Sequence, residues 1–495
     1  MSSEEKEEVK KDEAKEEEPK KEDAEAKPDD AKKDDAPAEE AKKDDATKDD
    51  APAADAANGE SPADLTKRLQ KLALERQKEN KQDRLKVVQS DKSSHLAAVK
   101  SFQELNLPKH LLDAVFAMGF DRPSVIQEEA LPRILADPPR NLIGQAQSGS
   151  GKTAAFTLGM LYRTKVDAPA STQAICCTPT RELAIQIFEK ALKPMASNME
   201  GLKVSLAVAG TNIERGKKLD AHIVIGTPGK IVDWLKRKAI VTKNIKVLVL
   251  DEADSMIEES GHRANSLLIK KQMPKKCQSL LFSATFPPEV VTFATKMVDN
   301  PDKILIEDGD EFLVVDVIKQ IWIDTRDYEG GKLQFLSDIY EMLTIGQSIV
   351  FVGTKRDADN VHRTLSKSGY DCSVLHGGVS PEDRDSTMQN FRDGKSTVLI
   401  TTNVLARGVD VDNVMMVVNY DVPVDRDGNP DYETYLHRIG RTGRFGRKGT
   451  AISLIHDQRS LQVLASIEQH FTSQGKEMIE QAEADPETLA DKIEI

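Results

Sequence analysis

Cysteine is scarce in this chain. Four occur in 495 residues, at Cys176, Cys177, Cys277 and Cys372. Two are adjacent and none has metal-ligand spacing, which argues against a disulfide framework and a cysteine metal site. Reduced, mostly buried thiols in an intracellular protein are the expectation. Long apolar runs are also missing, so no membrane insertion is expected, and the N-terminus is too charged for a secretory signal. Aromatic residues are absent from residues 1–60. That stretch carries 24 Asp and Glu against 12 Lys, a net of −12 out of −14 for the whole chain, and repeats Ala-Lys-Lys-Asp-Asp-Ala at 31–36 and 41–46. It has too little apolar surface to offset the entropy of ordering, so residues 1–61 read as a disordered acidic tail. The remaining 435 residues hold 59 acidic and 57 basic side chains. Near neutrality there leaves nucleic-acid binding open despite a pI of 5.3.

Residues 62–99 change character and read as a charged helical extension. Ser61 and Pro62 make a helix start, and Leu65, Leu69 and Leu72 fall on one face. An isolated helix of this kind is marginal, so docking on the body is reversible if it occurs. From about residue 100, apolar runs at 141–144, 174–178, 204–208, 222–226, 245–250 and 279–283 alternate with helix-length amphipathic stretches. A second series follows at 348–353, 372–375, 397–401, 415–419 and 451–455. This alternation predicts parallel sheets covered by helices on both faces. Two α/β domains are expected, at 100–308 and 315–495, with a hinge at 309–314 entered through the polar run Glu307–Glu311.

The first series carries a phosphate-binding pattern. Ser148-Gly149-Ser150-Gly151-Lys152-Thr153 follows an apolar run and opens a helix. The glycines let backbone N–H groups close on phosphate oxygens, and the helix N-terminus adds its positive end. Ala146 stands where the general pattern has Gly. Asp251-Glu252-Ala253-Asp254 follows Val247–Leu250, 99 positions after Lys152. Lys152 suits the β- and γ-phosphates of ATP, Thr153 and Asp251 suit Mg2+, and Glu252 is placed to orient an attacking water. In the second series, His437-Arg438-Ile439-Gly440-Arg441-Thr442-Gly443-Arg444 sets three arginines within seven residues. Arg441 and Arg444 suit arginine fingers that neutralise charge on the transferring phosphoryl from the opposite domain.

The ordered motifs resemble the DEAD-box family of ATP-dependent RNA helicases: Phe102 and Arg122–Gln127, the phosphate loop, Pro179-Thr180-Arg181-Glu182-Leu183-Ala184, Thr227-Pro228-Gly229, Asp251–Asp254, Ser283-Ala284-Thr285, Phe351-Val352-Gly353-Thr354, Ala406-Arg407-Gly408-Val409-Asp410 and the triple-arginine segment. The resemblance runs from about residue 100 to 470. It implies two tandem RecA-like domains and an RNA-stimulated ATPase that unwinds short duplexes and remodels ribonucleoprotein. It implies further that Phe102 stacks on the base, Gln127 reads the adenine edge, and Asp410 meets the ribose. Ser283 and Thr285 would couple the nucleotide to domain closure. Pro179, Thr180, Arg181, Gly210, Thr227 and Gly229 would line single-stranded RNA on the first domain, and Thr354, Arg384 and Thr402 on the second. Lys230, Pro381 and Asn403 depart from the commoner family residues, away from the phosphate chemistry.

The insertion Asp425–Asp431, the segment Tyr432–Gly446, Gly144-Gln145 and Trp234-Leu235-Lys236 look like the nuclear-pore-associated, mRNA-export branch of the family. That likeness implies a monomer acting on messenger ribonucleoprotein in cytoplasm and nucleus, at the cytoplasmic face of the nuclear pore complex. Its expected partners are a nucleoporin and an inositol-hexakisphosphate-bound activator. A translation-initiation-type helicase and an ATP-gated RNA clamp or scaffold are the alternatives.

Overall fold

The structure, a computed structural model, describes residues 85–90, 96–146, 149–166, 169–258, 261–306, 318–343, 345–403, 414–443, 448–472 and 479–493. The acidic tail, residues 62–84 and 91–95 of the helical extension expected at 62–99, and the hinge at 309–314 lie outside them.

Eight strands form the first sheet: β1 Leu85–Val88, β2 Leu142–Gln145, β3 Ala174–Cys177, β4 Val204–Ala207, β5 Ile223–Gly226, β6 Val247–Leu250, β7 Gln278–Ser283 and β8 Asp302–Ile306. Their order is β1-β8-β2-β7-β6-β3-β5-β4. Every pairing from β8 to β4 is parallel, and only β1 runs antiparallel, on β8. The central strands are apolar throughout because both faces are covered. Along β6, Val247 and Val249 enter one core while Leu248 and Leu250 enter the other. Each such fully buried aliphatic side chain contributes about 1.5–3 kcal/mol.

Seven strands form the second sheet: β9 Ile318–Asp324, β10 Gln347–Phe351, β11 Cys372–Leu375, β12 Val398–Thr401, β13 Val414–Asn419, β14 Gly449–Ile455 and β15 Glu480–Ala482. The order is β11-β12-β10-β13-β14-β9-β15, all pairs parallel. Two RecA-like parallel-sheet domains are therefore present. One correction concerns the extension at 62–99. Residues 85–88 are not helical but form β1, because pairing with β8 satisfies the backbone and Ser90 anchors the end, its N–H and Oγ both donating to Asp302 Oδ1 at 2.7 Å.

Cys176, Cys177 and Cys277 are buried and Cys372 is half-buried, all four as free thiols. Burial raises every one, Cys177 and Cys277 to about 12 and Cys372 to about 11, which disfavours the reactive thiolate. Among the described residues, no helix is long and apolar enough to cross a membrane.

Candidate active site

Parallel sheets gather their loops at the carboxyl ends of the strands, and the predicted site residues follow that rule. Lys152 follows β2, Thr180 and Arg181 follow β3, Gly210 follows β4, Thr227 follows β5, Asp251 and Glu252 follow β6, and Thr285 follows β7. In the second domain, Thr354, Arg384 and Thr402 follow β10, β11 and β12.

The phosphate loop turns through left-handed backbone at Gly149 (φ 77°) and Gly151 (φ 102°), and Gly151 caps the Lys152–Arg163 helix. A side chain at Gly151 would also collide with Gln127, since a Cβ would lie 2.5 Å from its Nε2. Gln127 is already tied down: its Nε2 donates to the Gly151 carbonyl at 3.0 Å, and its Oε1 accepts from Ser124 N at 3.0 Å. The amide expected to read adenine thus also braces the loop. Phe102, expected against the base, is 2% exposed and sits edge-on to Phe116.

Lys152, Asp251 and Glu252 are all buried. Lys152 Nζ lies 3.8 Å from Glu252 Oε1 and has no hydrogen-bond partner among the described residues; Glu252 Oε2 has none either. Glu252 holds a left-handed backbone (φ 52°), which costs about 1–3 kcal/mol for a residue with a Cβ. Burial first, then the Glu252 carboxylate, push Asp251 above the usual carboxylate range, against the pull of Lys152. An unsatisfied buried ammonium beside crowded buried carboxylates fits a phosphate chain with a divalent cation, which together supply both missing charges. Thr153, on the first turn of the helix, is half-buried.

Asp254 joins three segments. Its N–H donates to Ser283 Oγ at 3.1 Å, and its Oδ2 accepts from Thr285 Oγ1 at 3.0 Å. The same oxygen lies 3.3 Å from His437 Nε2 of the second domain. Glu252, Asp254 and His437 bring ligand atoms within 4.8 Å of one another. One turn beyond His437, Arg441 is 3% exposed, and its Nε donates to the His437 carbonyl at 2.9 Å. Ser148, Asp410 and Arg444 lie outside the described residues.

Besides Asp254–His437, two arginine–carboxylate pairs among the described residues cross between the domains. Arg181 makes a bidentate pair with Asp385 at 2.6 and 2.7 Å, and Arg384 Nη2 meets Glu182 Oε1 at 2.9 Å. Arg181 and Arg384, both expected on the RNA path, thus hold carboxylates of the opposite domain. Thr180 and Thr354 cap helices, accepting from Leu183 N and Asp357 N, each at 3.2 Å. Thr227 and Thr402 are half-buried, Pro179 is buried, and Gly210 and Gly229 are exposed. Gly210 faces Pro381 of the second domain, 3.4 Å from where a Cβ would stand. Asp254, His437, Glu182 and Asp385 escaped the sequence reading as site residues; three of them lie inside quoted motifs, but only the fold shows what they meet.

Residues 124–293 match the DEAD/DEAH box helicase family, and residues 331–446 match the helicase conserved C-terminal domain. The chain belongs to the DEAD/DEAH box helicase family. It is 48% identical over 392 residues to an ATP-dependent RNA helicase, DDX19A, of Bos taurus, covering 79% of this chain and 80% of that protein. It is also 48% identical over 390 residues to the ATP-dependent RNA helicase DBP5 of Meyerozyma guilliermondii, with the same shares. Among solved structures, Saccharomyces cerevisiae Dbp5 bound to RNA and ADP BeF3 is similar at a TM-score of 0.74 and 43% identity, over 80% of this chain and 98% of that one. A variant of that protein bound to Gle1 and IP6 gives a TM-score of 0.64 over 80% of this chain and 99% of that one, also at 43% identity. In this DEAD/DEAH box chain, then, the described helicase motif residues that follow strands sit at the carboxyl ends of the two sheets.

Proposed function

We propose that this chain is an ATP-dependent RNA helicase that unwinds short duplexes and remodels ribonucleoprotein, acting in mRNA export. The observation that carries the reading is the division of charge: an unsatisfied Lys152 and crowded carboxylates in the first domain, and the buried His437–Arg441 turn of the second joined to them through Asp254.

Lys152 and the backbone of the phosphate loop bind and orient ATP, with Gln127 holding the loop in register. Glu252 orients the attacking water, and its strained backbone keeps the carboxylate in place before substrate arrives. Thr153 and Asp251 would hold Mg2+, which supplies positive charge to the phosphate oxygens when bound. Arg441 and Arg444 complete the neutralisation only when the domains close, so hydrolysis waits on closure. Ser283 and Thr285, through Asp254, report the nucleotide to His437. Single-stranded RNA lies along the Pro179–Arg181, Gly210, Thr227–Gly229, Thr354, Arg384 and Thr402 segments, contacted mainly at phosphates and 2′-hydroxyls.

Similarity to Dbp5 structures solved with RNA and ADP BeF3, and with Gle1, IP6 and Nup159, supports the same partner classes for this chain: RNA, a nucleoporin, and an inositol-hexakisphosphate-bound activator at the cytoplasmic face of the pore. Glu252→Gln is the test. It retains ATP and RNA binding while turnover falls by about 10²–10⁴-fold. Normal hydrolysis by that variant would remove Glu252 from its role, and strand release measured beside ATPase separates a helicase from a clamp.

A further inference from the structure

One carboxylate in the second domain joins three elements. Asp421 follows β13, and its Oδ2 accepts from Gly353 N at 2.7 Å. Its Oδ1 accepts from Lys332 Nζ, at the start of the Gly331–Met342 helix. Its backbone carbonyl accepts from Arg438 Nη1 at 2.7 Å. Lys332 is held in turn over the Tyr420 ring, 4.2 Å from its centre. The approach to Gly353 is close, since a Cβ there would lie 3.3 Å from Asp421 Oδ2.

Each of these contacts leads elsewhere. Gly353 precedes exposed Thr354. Arg438 is 2% exposed, donates to Asn403 Oδ1 and Asn419 Oδ1 at 3.1 Å, and lies over the Phe351 ring at 5.0 Å. Arg441 N donates to the Arg438 carbonyl at 3.0 Å. The Lys332 and Asp421 side chains are 17% and 21% exposed, so water screens the pair less than a surface pair. A carboxylate filled from two sides by charge-assisted bonds keeps one orientation.

We propose that Asp421, braced by Lys332, is a positioning residue for RNA-stimulated hydrolysis. It holds the Gly353–Thr354 turn and the His437–Arg441 turn as one rigid piece, so RNA seated on the first sets the second. The inference rests on the reading that Thr354 meets RNA. Neither Asp421 nor Lys332 touches nucleotide or RNA in this scheme.

The experiment uses the full chain and steady-state ATPase, with and without a single-stranded oligouridylate. In Asp421→Asn and in Lys332→Met, the RNA-free rate stays within about twofold while the maximal RNA-stimulated rate falls about tenfold. The double variant is no worse than either single one, because both remove the same brace. Lys332→Arg recovers most of the stimulation. If Asp421→Asn lowers the yield of folded protein, Lys332→Met decides alone. The inference is overturned if stimulation is unchanged, or if RNA-free and stimulated rates fall in proportion without rescue by Lys332→Arg. A parent chain that RNA does not stimulate takes down the underlying reading and the inference with it.

Discussion

The two domains share a parallel-sheet plan but treat two buried motif cations, Lys152 and Arg438, in opposite ways. In the first, Lys152 Nζ and Glu252 Oε2 are buried without hydrogen bonds among the described residues, and Glu252 sits on strained backbone. In the second, Arg438 is as deeply buried but is held by two asparagine oxygens, a backbone carbonyl and an aromatic face. Leaving a charge unsatisfied costs folding energy, so a fold keeps it only where something else will supply the partner. The contrast marks the first domain as the side that receives a polyanion and the second as the side that delivers a rigid, prearranged turn. Fold alone would not separate them, since both sheets present loops at the same ends.

The contrast breaks most visibly at Lys152. Lys152→Met removes the ammonium but not the crowded carboxylates, so ATPase falls by about 10³-fold or more, while the melting temperature changes little, because losing an unbonded buried ammonium offsets losing its pull on Asp251. A clear loss of stability would show that Lys152 is structural and that the first domain resembles the second.

The arginines sharpen it next. Arg441→Ala lowers hydrolysis by about 10³-fold with little change in melting, as expected for a finger. Arg438→Met does the reverse in first effect: it orphans Asn403, Asn419 and the Asp421 carbonyl and costs about 2–4 kcal/mol in denaturant unfolding. Equal stability losses in the two variants would erase the distinction between these neighbours.

How much of this was legible beforehand depends on the range of the forces involved. Runs such as Val247–Leu250 and Ile349–Phe351 announce buried strands because local composition suffices. Leu85–Val88 reads as part of a charged helix because its partner, β8, lies more than 200 residues away. Glu480–Ala482 becomes a strand only by addition to β9, and Ile318–Asp324 hides its apolar face behind Lys319, Gln320 and Asp324. The phosphate loop and the acidic segment were legible for the opposite reason, since their chemistry needs fixed residue types at short spacing. Gln127 and Arg384 are expected as site residues from their motifs, but their partners in this structure, the Gly151 carbonyl and Glu182, are not legible in the sequence. Those contacts exist only once the sheets are assembled and the domains face each other.

The smallest effect belongs to Glu182→Gln, in the pair Glu182–Arg384 that bridges the domains. Glu182 is 5% exposed, and burial raises its carboxyl although Arg384 and Arg181 pull it down. Desolvation therefore outweighs attraction, and the charged pair adds little net closure energy. Glu182→Gln changes the RNA concentration for half-maximal ATPase by less than about threefold, whereas Arg384→Ala, which strands a buried carboxylate, costs about 3 kcal/mol of closure. The pH dependence has a definite sign. A carboxyl raised when the domains meet binds its proton more tightly there, so closure is strongest below the ordinary Glu value, weakens as pH rises through the raised value, and is flat above it. The window opens just above the ordinary Glu value of 4.5. Inter-domain energy transfer between two dyes, followed against pH, shows that slope in the parent and a flatter one in Glu182→Gln. A slope of opposite sign in the parent would mean that the pair gains more from attraction than it loses to burial, and the two domains would then differ less in their handling of charge than their nucleotide-facing sides suggest.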